Sequence, residues 1–321
     1  MKKYRVVVTD DRFGSYLQEN EVLQAIDTQV DVHNLTSGSE AIAALADADG
    51  VLVNLHPLPA EVIREMKKCR VISRYGVGYD NVDVKAATEK GIWVARVPDY
   101  SLEDVSDQAL ALLLGAIRKI SYKDRKIREG GWNLKDDQLC YRIKGKVLGL
   151  IGYGAIARAL HRKVSGFGLA KVLVYDPYVK AEQIRELGGT PENLETLLRE
   201  SDYISIHAPL TEETKGMIGK KEISLVKPNL ILINTSRGPL LQEDAVAAAL
   251  ADGRIGYAGL DVFENEPLPK ESPLRELDNV ILSDHSGWYS EESLVDLKTK
   301  AARNVLEVLQ GGKPAYPVNN V

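Results

Sequence analysis

The sequence has little cysteine and no long hydrophobic run. Its 321 residues contain two cysteines, Cys69 and Cys140, without paired spacing, which excludes a disulfide scaffold or a cysteine-rich zinc site and favours a reducing cytoplasm. The longest apolar run, Ala109 to Ile117, has nine residues, whereas a membrane span needs about 20. Only a very short apolar stretch precedes Asp10, so we expect no signal peptide.

An excess of positive charge is also absent. Lys and Arg total 41 and Asp and Glu total 46, for a net charge of -5, which argues against a nucleic-acid groove or an anionic membrane surface as partner. The composition, 44% hydrophobic and 27% charged, is that of an ordinary globular protein. A chain of this length predicts two domains, and nothing in the sequence predicts a metal site.

Short β-branched runs alternate with helical patterns along most of the chain. Such runs predict strands of parallel sheets that are buried on both faces, and repeated βα units predict doubly wound α/β folds. The predicted strands are Tyr4–Thr9, Gly50–Asn54, Val71–Arg74, Ile92–Ala95, Val147–Ile151, Lys171–Tyr175, Tyr203–His207, Leu230–Asn234 and Tyr257–Leu260.

A strongly apolar helix separates two sets of these units. It is predicted from Glu103 to about Ile120, because its apolar residues recur at helical spacing on one broad face. A helix buried between domains and a helix at a dimer interface would share this pattern, so both interpretations stay open. A last helix is predicted from near Ser290 to Gly311.

One glycine turn has the features of a dinucleotide-binding site. Gly152, Gly154 and Ala157 follow a predicted strand and match the G-x-G-x-x-G/A fingerprint, in which the glycines permit a tight turn and a close approach to the pyrophosphate. The helix that begins at Ala155 and Ile156 would direct its amide groups at the phosphates. Asp176 ends the next strand, where a carboxylate binds the adenosine ribose hydroxyls and favours NAD over NADP. The alternative is that Asp176 merely caps the turn before Pro177.

Candidate catalytic groups follow three later strands. The strand Leu230–Asn234 leads into Thr235-Ser236-Arg237, and the Arg237 guanidinium suits bidentate binding of a carboxylate. An acidic loop, Asp261–Pro267, and a strand that leads to His285 come next. Because ligands bind beyond the carboxyl ends of parallel strands, these groups are expected at one edge of a sheet. His285 is a candidate acid or base. His207 precedes Ala208-Pro209, which is typical of a nucleotide-side loop, and the alternative is that His207 is only a packed or surface histidine.

These segments, together with the run Arg74–Asp83, occur in the order found in the D-isomer-specific 2-hydroxyacid dehydrogenases. The resemblance covers nearly the whole chain, and His285-Ser-Gly-Trp288 is most similar to the C-terminal-binding-protein-like branch. It implies two doubly wound parallel-sheet domains, Rossmann- or flavodoxin-like, with a cleft between them. Residues 1–99 plus 291–321 would bind substrate and residues 100–290 would bind NAD. It also implies a homodimer whose cofactor domains pair.

The resemblance assigns roles to single residues. His285 would give a proton to the carbonyl oxygen, Glu266 would hydrogen-bond the imidazole, and Arg237 would bind the carboxylate and carbonyl of a 2-keto acid. The other substrate contacts would be Arg74, the backbone of Val77 and Gly78, and Trp288. The nicotinamide half of NAD or its ribose would contact His207, Ala208, Pro209, Thr235, Ser236 and Asp261.

We therefore expect an NAD(H)-dependent enzyme that interconverts a small 2-keto acid, such as hydroxypyruvate or glyoxylate, with its D-2-hydroxy acid. A 3-phosphoglycerate dehydrogenase is one alternative, but the loop Val53–Pro57 lacks the arginines that those enzymes use for phosphate. A corepressor-like scaffold that senses NAD(H) is the other, although the sequence has no basic nuclear signal.

Overall fold

A computed structural model describes residues 4–134 and 138–321. The strands are β1 Val6–Val8, β2 Val30–Val32, β3 Gly50–Val53, β4 Val71–Arg74, β5 Trp93–Ala95, β6 Val147–Ile151, β7 Lys171–Tyr175, β8 Thr190–Pro191, β9 Tyr203–Ile206, β10 Leu230–Asn234, β11 Ile255–Leu260 and β12 Val280–Leu282.

Helices connect these strands. They are α1 Leu17–Leu23, α2 Gly38–Leu45, α3 Ala60–Glu65, α4 Val84–Glu89, α5 Leu102–Arg118, α6 Ile120–Arg128, α7 Ala155–Val164, α8 Ala181–Glu186, α9 Leu194–Glu200, α10 Lys220–Ile223, α11 Glu243–Ala251 and α12 Glu291–Leu309. Short 3-10 helices cover Gln24–Ile26, Ser165–Phe167, Gly238–Leu240 and Pro273–Glu276. In the described part of the chain, no helix combines the length and the apolar character needed to cross a bilayer.

The first structural unit runs up to Ser101 and includes Ser290–Val321. Its strands form a parallel sheet in the order β2-β1-β3-β4-β5, which is the flavodoxin-like order. One face of the sheet packs on α2, α3 and α4 through a core that includes Val7 and Val51. On the other face α12 lies so close that a Cβ added at Gly50 would be 2.9 Å from Val305 Cγ1.

The second unit, Leu102–Tyr289, contains a seven-stranded sheet in the order β12-β11-β10-β9-β6-β7-β8. All of its pairs are parallel, and the order is that of a Rossmann fold with its switch point between β6 and β9. Alternate residues of β10 enter different cores, Leu232 on one face and Ile233 on the other. The predicted doubly wound α/β class is thereby confirmed. The predicted domains differ from these units by one or two residues at each boundary.

Helix α5 has its apolar face neither between the two units nor at an exposed dimer surface, the two interpretations that the sequence left open. Its stripe is buried inside the second unit, where Leu112 packs so closely on β11 that a Cβ at Gly259 would be 2.8 Å from Leu112 Cβ. The helix also ends at Arg118 rather than at Ile120, because Lys119 adopts a left-handed conformation with φ 56°. The chain turns there, and Ile120 becomes 58% exposed at the start of α6.

Candidate active site

The glycine turn after β6 lies at the switch point of the sheet. Gly152 has φ 84°, which favours glycine, and a Cβ there would be 2.7 Å from the carbonyl carbon of His207. The turn is closed by two backbone bonds, from Gly152 N–H to the carbonyl of Tyr175 at 2.8 Å and from His207 N–H to that of Ile151 at 2.7 Å. The ends of β6, β7 and β9 therefore form one compact rim.

The start of α7 leaves room for a phosphate group. Gly154 is its N-cap residue, makes no side-chain cap, and has no heavy atom within 4 Å of the position that a Cβ would take. Ala155 is exposed and Ile156 half-buried, whereas Ala157 is fully buried against the sheet. A helix N-terminus with unfilled space in front of it fits the pyrophosphate of a dinucleotide.

Asp176 lies at the end of β7 beside this turn. Its Oδ2 accepts a hydrogen bond from Tyr153 N–H at 2.8 Å, and its Oδ1 accepts from Tyr178 and Val179 N–H at 2.8 and 3.2 Å. The carboxylate therefore caps the turn at Pro177, which was the alternative to ribose binding. It is also fixed next to the glycine turn. A half-buried carboxylate in this place fits binding of ribose hydroxyls.

The loop after β9 contains the predicted residues His207, Ala208 and Pro209. His207 Nε2 lies 2.9 Å from Ser205 Oγ, and burial lowers the pKa of His207 to about 4. Its imidazole is thus neutral at physiological pH and is unsuited to donating a proton. Ala208 is buried and Pro209 exposed, so this loop offers mostly backbone and apolar surface to the rim.

Asn234 builds the turn that presents Arg237. The Asn234 side chain is fully buried; its Nδ2 donates to the carbonyl of Arg237 at 2.9 Å and its Oδ1 accepts from Ser236 N–H at 3.0 Å. Arg237 Nη1 donates to the Ser236 carbonyl at 2.8 Å. Gly238 has no room for a side chain, since a Cβ would be 1.9 Å from the carbonyl carbon of Phe263. The arginine is therefore fixed against the acidic loop.

Two hydroxyl groups in this turn differ in their partners. Ser236 Oγ donates to the Ile206 carbonyl at 2.8 Å, which ties β10 to β9. Thr235 is 9% exposed, and among the described residues its Oγ1 has no hydrogen-bond partner. Because buried hydroxyls are normally paired, Thr235 fits a contact with a bound group.

His285 and Glu266 form a direct pair. His285 Nδ1 lies 2.7 Å from Glu266 Oε2, with 31% and 30% of the two side chains exposed. The other carboxylate oxygen, Oε1, accepts a bond from Phe263 N–H at 3.0 Å and thereby fixes the carboxylate plane. The pair leaves His285 Nε2 as the ring nitrogen that can act on a ligand.

Charges around Glu266 favour its ionised form. Burial alone would raise its pKa, but the hydrogen bond and charge of His285, the Phe263 amide and the charge of Arg237 together lower the pKa of Glu266 below its ordinary value. The three predicted catalytic residues thus share one electrostatic environment. A carboxylate in this position stabilises a protonated imidazole.

Asp261 has a structural role that the sequence did not indicate. It is 2% exposed, and burial raises the pKa of its carboxyl group, although bonds from Ser283 and Gly287 act in the opposite direction. Its carboxylate accepts from Ser283 Oγ at 2.6 Å and from Gly287 N–H at 2.9 Å. Gln108 Nε2 donates to Ser283 Oγ at 3.0 Å. Gln108 and Ser283 are missing from the predicted site, and the only sequence signal for Gln108 is a polar residue beside the apolar stripe of α5.

Trp288 is half-buried and stacks edge-on against Tyr289, with ring centroids 5.7 Å apart.

In the first unit, Arg74, Val77 and Gly78 lie together at the end of β4. The Arg74 guanidinium covers Gly76, where a Cβ would be 1.7 Å from Nη1, and it donates to the Tyr75 carbonyl. Across residues 4–134 and 138–321, no acceptor pairs with the amides of Val77 and Gly78. This loop has the character of an anion-binding nest.

Comparison with known proteins identifies the family. Residues 110–287 match the model for the D-isomer specific 2-hydroxyacid dehydrogenase, NAD binding domain. The chain belongs to the D-isomer-specific 2-hydroxyacid dehydrogenase family. It is accordingly an NAD-dependent oxidoreductase that interconverts 2-keto and D-2-hydroxy acids. The C-terminal-binding-protein-like branch stays a prediction.

Individual family members are similar over most of their length. A glyoxylate reductase of Korarchaeum cryptofilum is 40% identical over 87% of this chain and 85% of its own. A glyoxylate reductase of Thermococcus litoralis is 42% identical over 81% of this chain and 80% of its own. The crystal structure of D-lactate dehydrogenase from Aquifex aeolicus, complexed with NAD and lactic acid, has a TM-score of 0.88 at 28% identity and covers 99% of this chain and 100% of that one.

Proposed function

We propose that this dehydrogenase reduces glyoxylate, with hydroxypyruvate as a second substrate, and that His285, Glu266 and Arg237 form its catalytic unit. The observation that carries the proposal is the 2.7 Å pair between His285 Nδ1 and Glu266 Oε2, with the charge of Arg237 acting on the same carboxylate. The similarity to two glyoxylate reductases supports the substrate class.

Reduction of a keto acid requires a hydride at the carbonyl carbon and a proton at its oxygen. NADH supplies the hydride when it is bound. The imidazolium of His285 donates the proton from Nε2, because Nδ1 is directed at Glu266. Glu266 remains ionised and keeps the imidazole oriented with its remaining proton on Nδ1. Arg237 binds the carboxylate of the substrate and stabilises the charge that develops on the carbonyl oxygen.

The residues of the glycine turn are proposed to hold NAD. Gly152 and Gly154 admit the pyrophosphate to the α7 N-terminus, where the amides of Ala155 and Ile156 bind it. Asp176 binds the adenosine ribose and repels the 2′-phosphate of NADP. Thr235, Ser236, Asp261 and the loop His207–Pro209 are proposed contacts of the nicotinamide half, with the unpaired hydroxyl of Thr235 as the best supported of them.

Further substrate contacts are proposed for each unit. In the first, the unpaired amides of Val77 and Gly78 next to the Arg74 guanidinium suit a carboxylate. This unit, up to residue 99 and from 291, is the proposed substrate-binding domain, and residues 100–290 are the NAD-binding domain. In the second unit, Trp288 is the proposed apolar wall of the substrate pocket.

We also propose that the enzyme is a cytoplasmic homodimer that pairs through its NAD-binding domain. Helix α6 and the segment after it carry large apolar side chains in solvent: Ile120 58%, Ile127 49%, Trp132 90% and Leu134 94% exposed. A monomer seldom leaves such a group of side chains uncovered. This surface replaces the α5 stripe, which is buried within its own unit, as the proposed interface.

A panel of 2-keto acids with NADH tests the substrate assignment. It contains glyoxylate, hydroxypyruvate, phosphohydroxypyruvate and pyruvate at matched concentrations, with NADH oxidation as the readout. We expect the highest kcat/KM with glyoxylate. A preference for phosphohydroxypyruvate would instead favour a phosphoglycerate dehydrogenase, and no turnover with any keto acid would overturn the proposal.

A further inference from the structure

His285 adopts a backbone conformation that needs support from its surroundings. Its φ is 57°, in the left-handed region that residues with a side chain seldom occupy. The three consecutive amides of this turn all donate to one residue. His285 N–H donates to the Asp261 carbonyl at 2.8 Å, Ser286 N–H to Oδ1 at 3.2 Å, and Gly287 N–H to Oδ2 at 2.9 Å. Asp261 therefore determines the path of the backbone that carries the histidine.

Helix α5 in turn holds Asp261. Gln108 Nε2 donates to Ser283 Oγ at 3.0 Å and approaches Asp261 Oδ1 at 3.5 Å, while Ser283 Oγ donates to the same Oδ1 at 2.6 Å. The turn is also packed against both residues, since a Cβ at Gly287 would be 2.8 Å from Asp261 Oδ2 and 3.1 Å from Gln108 Cγ. The carboxylate thus cannot rotate without breaking bonds to the turn, to Ser283 and to Gln108.

We propose that Gln108 and Ser283 are positioning residues for proton transfer, which act through Asp261 to hold His285 at the angle that its pair with Glu266 requires. Neither residue is needed to carry charge or protons. Their effect is geometric: they keep the carboxylate of Asp261 in the orientation that accepts from the amides of Ser286 and Gly287, the two residues after His285. A small misplacement of a catalytic group strongly reduces the rate of the reaction. The loss of one hydrogen-bond donor should therefore cause a measurable fall in kcat. The inference rests on the proposed function of His285.

Gln108→Met tests the proposal, because methionine has a similar length but no donor. The matched control is Gln183→Met on α8, where the glutamine is exposed. We expect Gln108→Met to lower kcat for glyoxylate reduction about tenfold with an unchanged Kd for NADH. With NADH deuterated at the transferred position, the isotope effect on kcat should rise, because chemistry becomes slower than product release. Gln183→Met should match the wild type in all three readouts.

The isotope effect separates positioning from a merely structural role. A variant that is partly misfolded has fewer active molecules, but each keeps the isotope effect and the pH profile of the wild type. Ser283→Ala should act through the same bonds, so the double variant with Gln108→Met should be less impaired than the product of the two single effects predicts. A fall in kcat at constant isotope effect, or full additivity, would overturn the proposal.

A second readout does not depend on turnover. With isotopically labelled histidine, the ring nitrogens of His285 can be observed by NMR, and Gln108→Met should shift or broaden them while the signals of His33 stay unchanged. If the wild type reduces no keto acid, the proposed function fails but this measurement still tests the positioning. If the wild type is active and Gln108→Met leaves both the ring signals and kcat unchanged, only the positioning inference fails.

Discussion

His285 Nδ1 and Glu266 Oε2 lie 2.7 Å apart at the ends of two different segments of the second unit. The relationship between them is reciprocal. A carboxyl group whose pKa is lowered by a neighbouring imidazolium also favours the proton on that imidazolium. We therefore predict that the pair, and not the histidine alone, sets the pH dependence of the enzyme.

Glu266→Gln should move the pH profile of reduction. In the proposed mechanism, reduction uses a proton on the imidazole of His285, and the charge of Glu266 stabilises that protonated form. Without the negative charge, the activity should therefore be lost at a lower pH than in the wild type. The measurement is kcat/KM for glyoxylate between pH 5 and 9. Glu264→Gln, a charge change at an exposed position in the same loop, should leave the profile in place; an unmoved profile in Glu266→Gln would show that the pair is not coupled.

Asp176→Asn should weaken the preference for NADH over NADPH. The carboxylate repels a 2′-phosphate by roughly 1–4 kcal/mol at about 4 Å, so the ratio of the two kcat/KM values should narrow about tenfold or more. Asparagine keeps an acceptor for Tyr178 and Val179 N–H, which preserves the turn. Glu182→Gln removes one exposed charge from the same unit without affecting the ratio. Equal use of both cofactors by the wild type would contradict the assignment of Asp176.

Gly154→Ala should weaken the binding of NADH without destabilising the fold. The structure has space for the added methyl group and a φ of -71°, so the free energy of unfolding should change by at most about 1 kcal/mol. The methyl group would enter the space proposed for the pyrophosphate, and the Kd for NADH should rise at least about tenfold. Gly166→Ala, also in open space, should change neither quantity. Calorimetric titration with NADH decides: unaltered affinity in Gly154→Ala would place the dinucleotide elsewhere.

Trp132→Ser combined with Leu134→Ser should convert the proposed dimer into a monomer. These side chains are 90% and 94% exposed, so their replacement removes apolar area from the proposed interface without disturbing a core. Light scattering at micromolar concentration measures the molar mass. Leu17→Ser, at an exposed position in the first unit, should leave a dimer. A monomeric wild type would contradict the dimer and leave the enzyme assignment intact.

Strand positions in the buried centre of each sheet could be predicted from the sequence. The predicted bounds of Val147–Ile151, Lys171–Tyr175 and Leu230–Asn234 are confirmed, because strands buried on both faces are continuous apolar runs. Val30–Val32 and Thr190–Pro191 were not predicted. Both lie at sheet edges, where a strand is short and partly exposed and so has no apolar run to reveal it.

The candidate catalytic residues could also be predicted from the sequence, but the residues that hold them in place could not. Arg237, Glu266 and His285 follow strands, so their places could be predicted from the fold. Gln108 meets Ser283 and Asp261 across 175 and 153 residues, a contact that no local pattern encodes. The left-handed conformation of Lys119 likewise ends α5 without a glycine or proline, the residues that usually mark the end of a helix in a sequence.

The turnover of the variant His285→Gln shows whether His285 is the general acid. Glutamine cannot act as a general acid, so kcat for glyoxylate reduction should fall by about 10²–10⁴. The Kd for NADH, measured by fluorescence, should stay at the wild-type value because the proposed nucleotide site lies at the glycine turn. His33→Gln, a histidine of the first unit paired with Asp31, is the control and should retain full activity. Near wild-type turnover in His285→Gln would show that the proton comes from another group and would contradict the proposed catalytic unit.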